Sequence, residues 1–206
     1  MRAPRTSRTR LVGIGGLLQA GKDAVADYLV KEHGWVKMGM SDPLDQALRA
    51  MNPYIQVLSG EPMNKNKGPK YLPYQDIRDK LSYVEAKNIT DVRRNLQTLG
   101  TEVGRNLIGE DIWAHVARDN INDQMIDGKS VILTGVRYPN ELYLINQFVD
   151  AGQTWFVTRP SKRTAAQPDQ HSSETSVSAE DFSVVIDNSG TLDDLYKSVD
   201  EILFGS

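Results

Sequence analysis

The chain has 206 residues, 39% of them hydrophobic and 25% charged, which is enough to bury one core and too apolar for a disordered segment. Its formal net charge of −3 excludes the broad basic face that stable nucleic-acid binding draws on, so a nucleotide partner is expected to be a small molecule. The chain has no cysteine, which excludes disulfides, cysteine-ligated zinc and thiol catalysis and fits a cytoplasmic, reducing setting.

Residues 1–9 carry Arg2, Arg5 and Arg8 without a following apolar stretch, so they read as a flexible basic tail rather than a signal peptide. No run of about 18 apolar residues occurs, and no membrane partner is expected. Leu11-Val12-Gly13-Ile14 is a short apolar run that leads into glycines, and Val25, Tyr28, Leu29 and Glu32 then recur at helical spacing. Strand, loop and helix follow in that order. Val36-Lys37-Met38 reads as a second strand, and Asp42-Pro43 opens a helix through Leu44, Ala47, Leu48 and Met51.

From Asn52 the composition turns to Pro, Gly, Asn and Lys, with Pro53, Pro62, Pro69 and Pro73 blocking any long element. Residues about 52–90 are therefore expected to leave the core as an insertion. A long helical pattern covers about Asp91 to Asp123, interrupted around Gly109. Val131-Ile132-Leu133-Thr134, Thr154-Trp155-Phe156-Val157 and Val184-Val185-Ile186 are three further apolar strands. The last two are separated by a polar stretch, read as a mobile lid over about 159–178. Thr191, with Asp194 three residues on, caps a final helix carrying Leu195, Val199, Ile202 and Leu203 toward a sheet. Short buried strands alternating with helices imply an α/β fold: a central parallel sheet with helices on both faces in one domain over 10–206, with ligands at the strand C-terminal ends.

Three segments carry chemistry. Gly16-Leu17-Leu18-Gln19-Ala20-Gly21-Lys22-Asp23 has the spacing of a P-loop between a strand and a helix. Such a loop turns successive backbone N–H groups toward phosphate oxygens, the helix N-terminus adds partial positive charge, and Lys22 bridges the terminal phosphates. The plainer alternative is a glycine-rich turn with a surface lysine. Asp23 replaces the hydroxyl residue that normally meets Mg²⁺, so a carboxylate is the expected metal ligand here.

Second, Arg93, Gln97, Gly100 and Gly104 share one face of an ideal α-helix. Glycines in a helix cost about 1 kcal/mol each relative to alanine, so either a ligand or a tightly packed helix should lie against them. Third, Val136-Arg137-Tyr138-Pro139-Asn140-Glu141 follows the Val131–Thr134 strand, with Arg137 expected over the P-loop and Glu141 expected to orient it as an ion pair, a structural surface pair being the alternative. Gly135 stands where a P-loop enzyme often carries a metal-organising Asp. Arg159, Lys162, Arg163 and His171 lie on the lid, where cations can close over phosphates; the plainer alternative is a solvated charged loop. His33 and His115 lack ligand-spaced partners and read as structural.

Taken together, GLLQAGKDAVADYL, RRNLQTLGTEVGR with GEDIW, VRYPNE, HSSE and VVIDNSGTLDDL resemble the bacteriophage-type deoxynucleoside monophosphate kinases of the P-loop nucleoside monophosphate kinase group. The resemblance covers about residues 10 to 203. It implies transfer of the γ-phosphoryl group of ATP, with Mg²⁺, to a deoxynucleoside monophosphate, giving ADP and a deoxynucleoside diphosphate. It implies ATP contacts at Gly16, Gln19, Ala20, Gly21, Lys22, Asp23, Ala24 and Asn188, and substrate contacts at Leu18, Asp42, Arg93, Gln97, Arg105, Trp113, Arg137 and Glu141. Lys22 and Arg137 are the implied catalytic cations, and Arg159, Arg163 and His171 the lid. It also implies a cytoplasmic enzyme, in the host if phage-encoded, and allows a homodimer. Two rival readings stand beside it: a P-loop kinase for another metabolite such as dephospho-coenzyme A, and a nucleotide-binding module without transfer.

Overall fold

The computed structural model describes residues 9–17, 19–159 and 176–205. The basic tail up to Arg8, Leu18, and Lys162, Arg163 and His171 with the rest of the HSSE segment lie outside the described residues. The described residues divide into two compact units, one formed by those within 9–40 and 117–205 and the other by 41–116.

The first unit is organised by five parallel strands: β1 (Leu11–Gly16), β2 (Val36–Gly39), β5 (Val131–Thr134), β6 (Gly152–Thr158) and β7 (Val184–Asp187). Their order is β2-β5-β1-β6-β7, so the first strand lies in the middle and the chain passes to both sides of it. Parallel neighbours need crossovers, which the helices supply. On one face, α1 (Lys22–His33) and α8 (Leu192–Phe204) bury Val25, Leu29, Leu195, Val199 and Leu203 against Val12, Ile14, Trp155 and Val157. On the other, α7 (Pro139–Asn146) packs against β1 and β6 through buried Leu142, Leu144 and Ile145. The expected doubly covered parallel sheet is thus present. Thr191 caps α8 as its sequence predicts, its hydroxyl accepting from the Asp194 N–H at 3.2 Å while the Asp194 carboxylate accepts from the Thr191 N–H at 2.9 Å.

The second unit has its own core of Leu48, Ile55, Val57, Tyr74, Ile77, Ala86, Ile89, Val92 and Leu96. It comprises α2 (Asp42–Met51), an antiparallel hairpin of β3 (Tyr54–Val57) and β4 (Lys70–Pro73), the short helices α3 (Tyr74–Arg78) and α4 (Tyr83–Ala86), and α5 (Thr90–Gln97). The excursion expected at 52–90 falls within it. Beyond α5 the chain continues as a π-helix over Thr98–Ile108, and α6 (Ile112–Ile126) carries it back to the parallel sheet.

Candidate active site

The end of β1 turns through the glycine-rich loop into α1. Gly21 occupies the N-cap position at φ 108°, in the left-handed region that favours glycine, and no side chain caps the helix. The N-terminal end of α1, with its helix dipole, therefore favours an anion. Lys22 is half-buried beside them, its ammonium donating to the carbonyls of Gly16 at 2.7 Å and Leu17 at 2.6 Å, so it spans the mouth of the loop. Gln19, at φ 60°, is exposed on the same loop and Ala20 is buried behind it.

Asp23 is exposed on the first turn of α1, and Lys37 of β2 reaches it at 3.3 Å and Asp27 at 2.9 Å. Burial works against the Lys37 charge, but the two carboxylates outweigh it and hold the lysine pKa above its ordinary value. Sequence reasoning missed Lys37, whose only signal was its place on the strand after the P-loop helix. Among the described residues no three metal-ligating side chains cluster. One carboxylate at the loop suits a Mg²⁺ ion that takes most of its ligands from phosphate and water, and would not suffice for an all-protein site.

The other sheet ends contribute to the same edge. Thr134 pairs with Ile14, so the residues after β5 emerge beside the P-loop strand. Gly135 turns there at φ 79°, which gives its lack of a side chain a backbone reason. Arg137 follows, exposed. The expected Glu141–Arg137 ion pair is corrected by the geometry: Arg137 precedes α7 instead of lying on it, and the buried Glu141 carboxylate accepts the backbone N–H groups of Arg137 at 2.7 Å and Tyr138 at 3.1 Å. Glu141 thus fixes the residue through its main chain. After β6, Arg159 has a buried Nε with no acceptor among the described residues. After β7, the buried Asn188 amide donates to the Ala20 carbonyl at 2.8 Å.

The implied substrate-side residues lie mostly in the second unit. Arg93 and Gln97 share an exposed face of α5, with Arg93 Nε donating to the Lys87 carbonyl at 3.2 Å. Gly100 and Gly104 are instead buried, which corrects the single-face expectation. The cause is the π-helix, whose i→i+5 bonds, as from the Gly109 N–H to the Gly104 carbonyl, change the angular step per residue. Protein fills the space beside both glycines: a Cβ on Gly104 would stand 2.3 Å from the Trp113 Nε1, and one on Gly100 3.2 Å from the Leu44 Cδ1. The Trp113 indole N–H donates to the Gly100 carbonyl at 2.8 Å, so this side chain holds the π-helix in place. Arg105 lies 3.5 Å from Glu110, and Asp42 stands on the first turn of α2.

A second group went unread in the sequence. Asp45 receives Arg78 at 2.9 and 3.0 Å and the Tyr74 hydroxyl at 2.6 Å, while the Arg78 guanidinium and the Lys87 ammonium lie 5.5 and 3.7 Å from the Tyr83 ring centre. Burial raises the Asp45 pKa, but Arg78 and Tyr74 outweigh it and hold the carboxyl below its ordinary value. Burial pushes the Tyr83 phenol up to about 12.

Comparison with known proteins adds the following. A family described as deoxynucleotide monophosphate kinase matches residues 52–199. The deoxynucleotide monophosphate kinase of Escherichia phage RB69 is 26% identical over an alignment of 246 positions that takes in 94% of this chain and 99% of the relative. Among solved structures, a sugar kinase from Janibacter sp. aligns with 95% of this chain and 94% of its own at 14% identity and a TM-score of 0.49. Shikimate kinase from Aquifex aeolicus aligns with 95% of this chain and 96% of its own at 12% identity and a TM-score of 0.48. At those scores the structural likeness carries no weight, and the fold stands on the strand order itself.

Proposed function

We propose a catalytic arrangement from the premise that this chain belongs to the deoxynucleotide monophosphate kinase family. The uncapped α1 N-terminus with Lys22 across the loop mouth is the observation that carries the arrangement. ATP places its phosphates in the loop, where the Lys22 ammonium exchanges the Gly16 and Leu17 carbonyls for phosphate oxygens. Asp23 would hold Mg²⁺, which neutralises phosphate charge when bound. Lys37, beside Asp23, limits how much negative charge the loop mouth presents to ATP.

Arg137, at the end of the strand next to the P-loop strand, neutralises the equatorial oxygens of the transferred phosphoryl group. Arg159 offers to the same phosphates its buried Nε, which has no acceptor among the described residues; an unmet buried donor costs about 1–3 kcal/mol, and a phosphate oxygen relieves that cost. The acceptor phosphate meets Arg93 and Arg105, with Gln97 at the base or sugar. That phosphate needs no general base, because its second pKa of about 6 leaves the attacking oxygen anionic at neutral pH. Attack in line expels ADP and leaves a deoxynucleoside diphosphate. Among the described residues no helix is long and apolar enough to cross a membrane, and the absence of cysteine suits the cytoplasm, where nucleotide pools lie.

The test is Lys22→Ala in a coupled assay of ADP release. Turnover should fall by about a thousandfold, the scale on which a lost transition-state cation is felt. Activity near that of the parent would overturn the assignment of the loop.

A further inference from the structure

We infer that Asn188 is a positioning residue that braces the phosphate loop from behind and does not itself contact the nucleotide. The inference rests on the loop's being the ATP phosphate site. The side chain is 4% exposed, and its amide donates to the Ala20 carbonyl at 2.8 Å. It fills the space beside Gly21 so closely that a Cβ there would stand 2.3 Å from the Asn188 Nδ2. Its own backbone is held as well, the Asn188 N–H donating to the Thr158 carbonyl at 2.8 Å and so extending the β6–β7 ladder by one bond. The capped start of α8 follows at Thr191. Asn188 therefore reaches the loop from a rigid base.

The geometry explains why a brace is useful. The C=O and N–H of one trans peptide point in opposite directions, and the chain has no cis peptide among its described residues. Holding the Ala20 carbonyl on the Asn188 side turns the N–H of Gly21 away from Asn188, toward the hollow of the loop where phosphate is read. Gly21 leaves that peptide free to flip, which would present a carbonyl to the phosphate in place of a donor. The amide of Asn188 removes that freedom before ligand arrives.

A brace acts on phosphate affinity whatever base is attached, whereas a base contact acts on the choice among nucleotides. The test measures binding of magnesium tripolyphosphate, ATP and GTP to the full chain by calorimetry, for the parent and for Asn188→Leu, which keeps the volume and loses the donor. The expected result is a rise in Kd by one common factor of about tenfold for all three, with the ATP-to-GTP ratio unchanged. Unchanged tripolyphosphate affinity with an altered ATP-to-GTP ratio overturns the inference, as does binding with the parent's constants in a reduced active fraction.

A second measurement needs no substitution. In the parent labelled with ¹⁵N at asparagine, hydrogen exchange of the Asn188 side-chain amide should slow equally with tripolyphosphate and with ATP. A response to ATP alone overturns the brace. A parent that binds neither tripolyphosphate nor ATP overturns the phosphate-loop reading along with it, while a parent that binds both and a variant that binds them equally well overturn the brace alone.

Discussion

The indole N–H of Trp113 reaches the carbonyl of Gly100 at 2.8 Å, and its ring occupies the space where Gly104 lacks a side chain. One residue at the start of α6 thereby holds two turns of the π-helix that carries Arg105. Trp113→Phe keeps an aromatic ring and removes the donor, so the Gly100 carbonyl loses its side-chain partner. The expected result is a loss of about 1 kcal/mol of stability and a raised KM for the acceptor, with the KM for ATP unchanged. Steady-state kinetics with each substrate varied in turn checks this, and equal changes in both KM values would contradict it.

Glu141 places Arg137 by accepting its backbone N–H. Glu141→Ala should therefore lower kcat, and the effect should be contained in that of Arg137→Ala, because the two act through one group. A double-mutant cycle is expected to show kcat for the pair no lower than for Arg137→Ala alone. Additive losses would assign Glu141 a role apart from Arg137.

Asp45 gives the second unit a pH dependence whose sign follows from its pKa. The folded carboxyl lies below its ordinary value of 3.8, so its contribution to stability is complete above that pH and is lost as pH falls through the depressed folded value. Asp45→Asn should destabilise the protein by about 1–2 kcal/mol near neutrality, since it leaves the half-buried Arg78 without its charge partner. Urea midpoints of parent and variant should converge under acid. A gap between them that stays constant from neutrality to acid would contradict the account.

What the sequence reveals and what it hides follow from the range of the interactions. The P-loop strand, its helix and the Thr191 cap of α8 are local patterns, set by residues within a few positions of one another, and they stand where spacing predicts. The Asp45 cluster joins residues 29 and 33 positions apart across a hairpin, with no periodic trace. The hairpin itself is hidden because its strands are each 4 residues long and lie among prolines and glycines. The π-helix escapes because its sequence satisfies an α-helical period equally well, and the residue packed beside Gly104, Trp113, lies outside the helix. Glu141 was legible as a partner of Arg137, but its use as a cap for backbone N–H groups depends on where α7 begins, which Pro139 fixes.

The central claim is ATP-dependent transfer to a deoxynucleoside monophosphate, and the direct measurement is an acceptor screen with the unmodified chain. Protein, Mg²⁺ and ATP are incubated with each deoxynucleoside monophosphate and with dephospho-coenzyme A, and products are followed by ³¹P nuclear magnetic resonance. The account predicts equal molar growth of ADP and a deoxynucleoside diphosphate with at least one deoxynucleotide. Transfer to dephospho-coenzyme A alone, or ATP binding without transfer to any deoxynucleotide, would contradict it.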